Sequence, residues 1–596
     1  MANFLICLDP QEDRRRRTAA AARSSLAFLP DLVTGEANAA AVSVVWAAGR
    51  RAPITRTEQP VFGMVFGSPV PTRDTPRVDA SALVEQWVAH DVSSAMASPD
   101  GYYAGFAYVP GERLVVAADR LGYFPVYYHQ SRDVVLIASS PEPFRLHPAY
   151  RAGFDPEGLV GLLLTNGLVD NRTLLRGVRR LPAGALLVWD ARRGLSECQG
   201  DGLPIGDDYR DLSFADHLRL LHDGFRDAME RHAPPERPYS VLLSGGLDSR
   251  TVAGYLHAAG REVTAITLGL PSDLDVRCAK AVARSLRAPQ HIEEIPVDRY
   301  RDYAEIHVTW EHCASGSSLL MNWGVVPIAR AAAAFSVTGL GLDWILGGHA
   351  PVVRDLSFRR FFAYQNAWGM PPSRLAALLR PDRFADLVPD TMALLERIYC
   401  SFSDVEWQRC WGFSVRHRNR FHIGSEAWRY CFSTWPVLPA TDGWLLRLGG
   451  HLPPATMADR RAQFELLRQQ FPGLAALPLD RNSANVSPAS PSPWWQLTAP
   501  IHQPMGRALR ALLRRLGRVQ EQRRYYRIFD FNGAGWVDVR RTLEPLREMG
   551  YEFFERAALD ALWPPPDIPA RAEDGIADLA GLKTILGFLA WARGHL

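Results

Sequence analysis

Lysine is almost missing from this chain. Of 67 lysine and arginine residues among 596, only Lys280 and Lys583 are lysine. Work that an ammonium group would do falls to guanidinium groups, which hold phosphate well but are no geometric copy of a lysine. Cysteine is sparse too: seven residues, scattered, with no C-x-x-C pair and no metal-ligand spacing. That excludes a disulfide framework and a zinc ribbon, and fits reduced thiols in a cytoplasmic protein. No stretch reaches about 18 uninterrupted apolar residues, so no membrane span is expected. In MANFLICLDPQEDRRRR the charges follow the apolar run, the reverse of a secretory signal. The formal net charge of +3 is too small to imply a nucleic-acid partner. A Walker-type loop with its Gly-Lys-Ser/Thr is absent as well, which argues against ordinary phosphoryl transfer.

What is present is an ordinary globular composition, 47% hydrophobic and 22% charged, in a chain long enough for more than one domain. One decapeptide stands out: VLLSGGLDSR at 241–250. Tyr239 to Leu243 suits a buried strand, Ser244-Gly245-Gly246 a tight turn with little side chain, and Thr251 to Ala259 a helix closed by Gly260. Glycines let backbone N–H groups approach an anion, and the helix start adds partial positive charge. Ser244 and Ser249 can donate hydroxyl hydrogen bonds to phosphate oxygens. Asp248 cannot donate to an anion, and its natural task is to hold Mg²⁺ against the phosphates.

Residues 1–206 read as β-rich, with strands at Leu114–Ala118, Tyr123–His129, Val134–Ala138 and Ala185–Trp189. After a linker at Pro204–Asp208, a helical pattern over Leu212–His232 leads into alternating strands and helices: Glu262–Leu268, then Val276–Leu286, then His291–Val297. Alternation of this kind predicts a parallel sheet covered on both faces. Beyond Tyr300 the pattern is mostly helical. The Ser/Pro-rich stretch 484–500 reads as a loop or lid. Arg507–Arg527 is a basic amphipathic segment, either a solvated helix face or a docking site for an acidic partner. Trp435, Trp494 and Trp495 are weak candidates for lining a peptide pocket.

Four segments together resemble the asparagine synthetase B superfamily. SGGLDS resembles the pyrophosphate loop of N-type ATP pyrophosphatases. Asp119-Arg120-Leu121-Gly122-Tyr123-Phe124-Pro125-Val126-Tyr127 is similar to the D-x-L-G-x-x-P-L-Y turn of glutamine amidotransferase domains. Arg179–Gly184 is similar to a later LPAG strand start, and Thr338–Asp343 with Gly347-Gly348 to the G-x-G-x-D-x-x-x-G-G motif of the synthetase half. The resemblance implies an α/β chain with three parts. Residues 1–206 would be an Ntn-hydrolase-like β-sandwich, a degenerate glutaminase. Residues 207–500 would be the PP-loop synthetase domain, and 501–596 a helical extension. It also implies an ATP site. Ser244, Gly245, Gly246, Asp248 and Ser249 would hold pyrophosphate, Asp248 and Asp343 would share Mg²⁺, and Leu242, Leu268 and Gly339 would contact adenosine. A turn or N-cap residue is the plainer reading of Asp343.

The chain departs from that family at three places. Position 2, where the amidotransferase half needs its nucleophilic cysteine, is Ala2; Cys7 reads as a buried strand residue, and Phe62–Val70 lacks the glutamine-holding N-G-E segment. Glutamine hydrolysis is therefore not expected. That is the pattern of the β-lactam synthetases and lasso peptide cyclases, which adenylate a carboxylate and let an amine of the same molecule attack. Leu340 stands where glutamine-using asparagine synthetases carry Glu and β-lactam synthetases carry Tyr. Asp480-Arg481-Asn482-Ser483 stands where the family has R-P-K. Losing that lysine's contact would cost about 3–4 kcal/mol of barrier, unless Arg481, or Arg460 and Arg461, replaces it. A base must take the amine's proton, with Glu426 or His422 as candidates; an exposed helix carboxylate is the plainer reading of Glu426. The expected activity is an ATP- and Mg²⁺-dependent ligase acting on a peptide or small-molecule carboxylate, with macrolactam formation of the lasso type in the lead. A leader-binding protein and a cysteine protease are the expected partners. An ammonia-dependent asparagine-synthetase-like ligase and a weakened scaffold relative are the alternatives.

Overall fold

The computed structural model describes residues 2–75, 78–88, 99–200, 202–347, 357–365, 369–480, 486–515, 524–571 and 579–596. Residues up to Cys198 form two six-stranded sheets packed face to face. In the first, Ala2–Leu8 pairs antiparallel with Val42–Gly49 on one side and Val134–Ala138 on the other. In the second, Asp100–Val109 lies between Phe62–Val70 and Arg113–Ala118. Strands with both faces covered read as continuous apolar runs, and Val134–Ala138 is buried at every position. Phe4 of one sheet stacks on Phe66 of the other, 4.9 Å between ring centroids.

The strand expected over Tyr123–His129 begins only at Tyr127. The Asp119 carboxylate explains this, because it accepts hydrogen bonds from the N–H groups of Leu121 (3.2 Å), Tyr123 (3.0 Å) and Phe124 (2.7 Å). Donors used in that turn are lost to a sheet ladder, and Pro125 has none to give.

The second unit opens with the helix Phe214–His232, started by a capping box between Ser213 and Asp216. Five parallel strands follow, in spatial order Gln290–Glu293, Val263–Leu268, Tyr239–Leu242, Phe335–Val337 and Trp435–Val437. The chain runs outward from Tyr239–Leu242 in one direction, then returns to its other side. That reversal makes the carboxyl end of Tyr239–Leu242 a topological switch point, where open α/β sheets bind ligands.

One expectation needs correction. The stretch 484–500 is not all loop: a helix begins at Pro493 and runs to Arg515, carrying Pro500 and Pro504 across the boundary expected at 500. Most of its described apolar residues face outward, since Trp494, Leu497, Ile501, Met505, Leu509 and Leu512 are all exposed, while Trp495 is half-buried and Ala499 buried. The C-terminal part is helical, as expected. Its last helix, Ala580–His595, reaches back to the first unit, where the Thr584 hydroxyl donates to Asn166 (2.6 Å) and His595 Nε2 meets Glu142 (3.0 Å). His312 and His595 both face Glu142, but Trp591 Nε1 donates to His312 Nδ1 at 2.9 Å. The proton of a neutral His312 ring then sits on Nε2, 3.3 Å from the Glu142 carboxylate, and in that tautomer His312 has no lone pair to offer a metal there. Lys583 in that helix is buried, donates to the Phe529 carbonyl at 2.7 Å, and is pushed down to about 7 by burial.

The arginines join the two units. Arg416 donates to the carbonyls of Arg120 (3.0 Å) and Ala183 (2.8 Å), and Arg420 to those of Gly122 (3.4 Å) and Leu181 (2.5 Å). Trp435 is no pocket residue: it is 2% exposed, and its Nε1 donates to the Tyr102 carbonyl at 3.2 Å in this same interface.

Candidate active site

The motif Ser244–Ser249 lies at the switch point. Gly246 is the N-cap of the helix Leu247–Ala258, so the first-turn N–H groups and the positive end of the helix dipole face outward from the sheet. The loop is internally braced. Ser244 N–H donates to Ser249 Oγ (3.0 Å), the two hydroxyls are 2.9 Å apart, and Gly246 N–H donates to Ser244 Oγ (3.2 Å). Gly245 N–H donates to Asp275 Oδ1 at 2.6 Å, and burial raises the Asp275 carboxyl above the usual carboxylate range. From behind, fully buried Arg250 donates to the carbonyls of Leu474 (3.0 Å), Leu477 (3.1 Å) and Pro478 (2.5 Å). The chain then passes beside the loop, with Asp480 N–H donating to Gly245 O at 3.0 Å. Arg481, Asn482 and Ser483 lie outside the described residues.

Above the loop is a cavity of about 430 Å³, the size of a ligand pocket. Of the residues assigned to ATP from the sequence, Leu242, Ser244, Asp248, Ser249, Leu268, Gly339 and the acid Asp343 line it. Gly245 and Gly246 form the loop but are not part of the lining. Gly339 is there for steric reasons: a Cβ at that position would lie 2.8 Å from the Asp248 carbonyl carbon and 2.9 Å from Ser249 N. Gly341, at φ +84°, starts the one-turn helix Leu342–Ile345 that carries Asp343.

Asp248 and Asp343 both line this cavity, as do Arg418 and Arg524, and Arg460, which does not line it, reaches both acids. Arg460 NH1 is 2.9 Å from Asp248 Oδ2 and Arg460 NH2 is 3.9 Å from Asp343 Oδ2. Gln463 Nε2 donates to the other Asp248 oxygen at 2.8 Å. Burial, aided by the charge of Asp343, raises the Asp248 carboxyl above its ordinary value in spite of Arg460. Two hard carboxylate oxygens facing one cleft, each disfavouring the other's ionisation, suit a divalent cation such as Mg²⁺.

Glu426 is not the exposed helix carboxylate of the plainer reading. It lines the cavity and accepts from Asn322 Nδ2 at 2.9 Å, with the Tyr430 hydroxyl as a second donor. Burial raises its carboxyl, partly offset by Arg429 and Arg524. His422 also lines the cavity; burial pushes its imidazole well below its ordinary value, leaving it neutral. Sequence reasoning missed the opposite wall, Arg524, Ile528 and Phe529, which comes from the C-terminal segment. Arg527 anchors it through Asp273 (2.8 Å) and Glu294 (2.5 Å). The alternation of basic and apolar residues over 507–527 was visible, but nothing in it marked Arg524 as a cavity residue.

In the first unit Cys7 is 1% exposed and pushed up to about 12, chiefly by burial. A thiol so placed supplies no thiolate.

Residues 220–412 match the asparagine synthase family and residues 77–197 the glutamine amidotransferase domain family. The chain thus has an N-terminal glutamine amidotransferase domain of the Ntn type, then an asparagine synthase domain, then a helical C-terminal part. It is 26% identical over 231 residues to carboxyethyl-arginine beta-lactam-synthase of Streptomyces clavuligerus, covering 38% of this chain and 42% of that one. It is 29% identical over 164 residues to asparagine synthetase [glutamine-hydrolyzing] 3 of Bacillus subtilis (strain 168), covering 25% and 24%. The chain therefore spans less than half the length of these curated relatives. Among solved structures, the glutamine phosphoribosylpyrophosphate amidotransferase of B. subtilis, complexed with ADP and GMP, aligns at 9% identity with a TM-score of 0.24. It covers 50% of this chain and 91% of that one. No described helix is long and apolar enough to cross a membrane.

Proposed function

We propose that this chain is an ATP-dependent amide-forming ligase that adenylates a carboxylate and hands it to an amine. The observation that carries this reading is the convergence of the Ser244–Ser249 loop, the acid pair and Glu426 on one cavity. A carboxylate oxygen attacks the α-phosphorus of ATP, and the bond to the bridging oxygen of pyrophosphate breaks. The Ser244 and Ser249 hydroxyls and the N–H groups at the start of Leu247–Ala258 receive the charge that develops on the leaving group. A metal held by Asp248 and Asp343 would add Lewis-acid neutralisation of the phosphates. The amine nitrogen then attacks the acyl carbon and displaces AMP. Glu426, held by Asn322 and Tyr430, takes the amine's proton, a role worth about 10²–10⁴-fold.

Within that class we favour an amine and a carboxylate of the same molecule, closing a macrolactam in a precursor peptide. The first unit holds two free cysteines, the buried Cys7 and the half-buried Cys198 at the end of the strand Gly194–Cys198, and neither stands at position 2, where the amidotransferase nucleophile is expected. The similarity to a beta-lactam-synthase points the same way. For such a reaction the protein mainly holds both ends of one molecule together and keeps water from the adenylate. A leader-binding protein and a cysteine protease are the proposed partners.

The test is ATP-dependent pyrophosphate release on adding candidate precursor peptides. Release with wild type and none with Asp248→Ala is expected. Absence of release from any candidate, with the variant indistinguishable from wild type, overturns the ligase reading. Turnover with aspartate and ammonia alone overturns the macrolactam assignment and leaves the ligase.

A further inference from the structure

The two carboxylates that this reading assigns to a metal are already bridged by a cation of the chain itself. Arg460 does not sit bidentate on one carboxylate. One nitrogen is within hydrogen-bond distance of Asp248 and another is 3.9 Å from Asp343, so the guanidinium spans the pair. The backbone is bent to put it there. Asp459 (φ 50°) and Arg460 (φ 58°) are successive left-handed residues, neither of them glycine, a conformation that Cβ sterics disfavour. They launch the helix Arg461–Gln470, whose first turn carries Gln463, so one short stretch delivers both donors to Asp248. The group is within reach of a ligand: the Arg460, Asp248 and Asp343 side chains keep 24%, 23% and 26% exposure, whereas those of the structural pair Arg429–Glu311 keep 0% and 4%.

We propose that Arg460 is the resident counter-ion of the nucleotide site. It stands between Asp248 and Asp343, and a divalent cation must displace it to reach both carboxylates. Once displaced, the guanidinium turns toward the phosphates, the task of the lysine this chain lacks. Neither lysine lines the cavity. The inference rests on the acid pair being the metal site, and three states of the same two carboxylates, guanidinium-bound, metal-bound and free, can be told apart by binding alone.

Mn²⁺ titrated against nucleotide-free protein, with bound metal read by electron paramagnetic resonance, tests it without turnover. Arg460→Gln is expected to bind Mn²⁺ about 10-fold more tightly than wild type, within the roughly 5–150-fold range of ordinary site coupling. Arg460→Lys, which keeps the charge but cannot span both carboxylates, should fall between. It also serves as the test if Arg460→Gln does not fold. Affinity for the metal–ATP complex should move the other way in Arg460→Gln, weakening as the phosphate contact is lost. A side chain that only braces the fold would lower thermal stability and leave metal affinity unmoved. Unchanged Mn²⁺ affinity in both variants overturns the proposal. Adding Asp248→Asn to Arg460→Gln separates the two claims. If the double variant binds Mn²⁺ as tightly as the single one, the acid-pair reading fails and takes this proposal with it. If Asp248→Asn abolishes binding while Arg460→Gln behaves as wild type, only the counter-ion proposal fails.

Discussion

The two β-built halves of this chain keep their family motifs for different reasons. In the parallel-sheet half, SGGLDS and the 338–343 turn surround a cavity of about 430 Å³ that holds acids, hydroxyls and a base candidate. In the sandwich half, the Asp119 turn and the 179–184 turn lie against the other half. Their carbonyls are seats for Arg416 and Arg420, and thus for the other half. Where the halves meet, around Tyr127, Ser139 and Glu311, the void is about 20 Å³, room for about one water. A motif can outlast its chemistry when its backbone groups carry an interface, because leaving a buried carbonyl or guanidinium unpaired costs about 1–3 kcal/mol or more.

The largest effect expected from breaking this contrast is at Asp248. Asp248→Ala should reduce pyrophosphate release by about 10²–10³-fold, because the metal that would neutralise the phosphates loses a ligand, and should leave Arg460 without its closest carboxylate. Glu426 comes next. A base must be ionised, and burial holds this carboxyl above the usual range. Amide formation should therefore rise with pH through that raised value and level off above it. Glu426→Gln should lower the rate by about 10²-fold or more and remove the rising limb, which single-turnover measurements across pH will show. If the limb persists in the variant, another group is the base.

Much of this was legible from the residues alone. The switch-point loop and the order of strands and helices follow from short, local patterns of apolar runs and glycines, whereas Asp343 as the partner of Asp248 came only from the resemblance of 338–343 to a synthetase motif. Three things were not. Glu426 looked like a surface residue because its partners, Asn322 and Tyr430, come from segments whose proximity no periodicity reveals. Arg460 was one of several arginines that could replace a lysine; its aim depends on two left-handed backbone residues that composition does not betray. The wall at Arg524, Ile528 and Phe529 comes from a segment that neither family match reaches, and its place is set by a tertiary ion pair.

That ion pair supplies the third prediction. Arg527→Ala leaves Asp273, fully buried, without its cation. Truncating one partner of such a pair costs about 3–5 kcal/mol when the survivor stays buried, and rather less here because the Arg527 side chain is 18% exposed. Thermal denaturation should show the loss. The functional signature is a raised KM for the carboxylate substrate with a smaller change in kcat, since the loop and the acid pair stand on other elements. Equal losses in both constants would place the wall closer to the reacting atoms than the present reading does.

The smallest effect is expected in the other half, at Cys7, and it probes the contrast most directly. A nucleophilic thiol would have to be exposed and ionised, yet this one is 1% exposed and raised to about 12. Cys7→Ala should leave pyrophosphate release and product formation unchanged with or without glutamine. Its cost should appear only as stability, about 1 kcal/mol for one small buried group. The neighbouring strands Val42–Gly49 and Val134–Ala138 pair with Ala2–Leu8 through backbone bonds that the substitution leaves in place. Should glutamine stimulate the wild type and not the variant, the sandwich still supplies ammonia by a thiol that must first be uncovered, and the two halves are chemically joined after all.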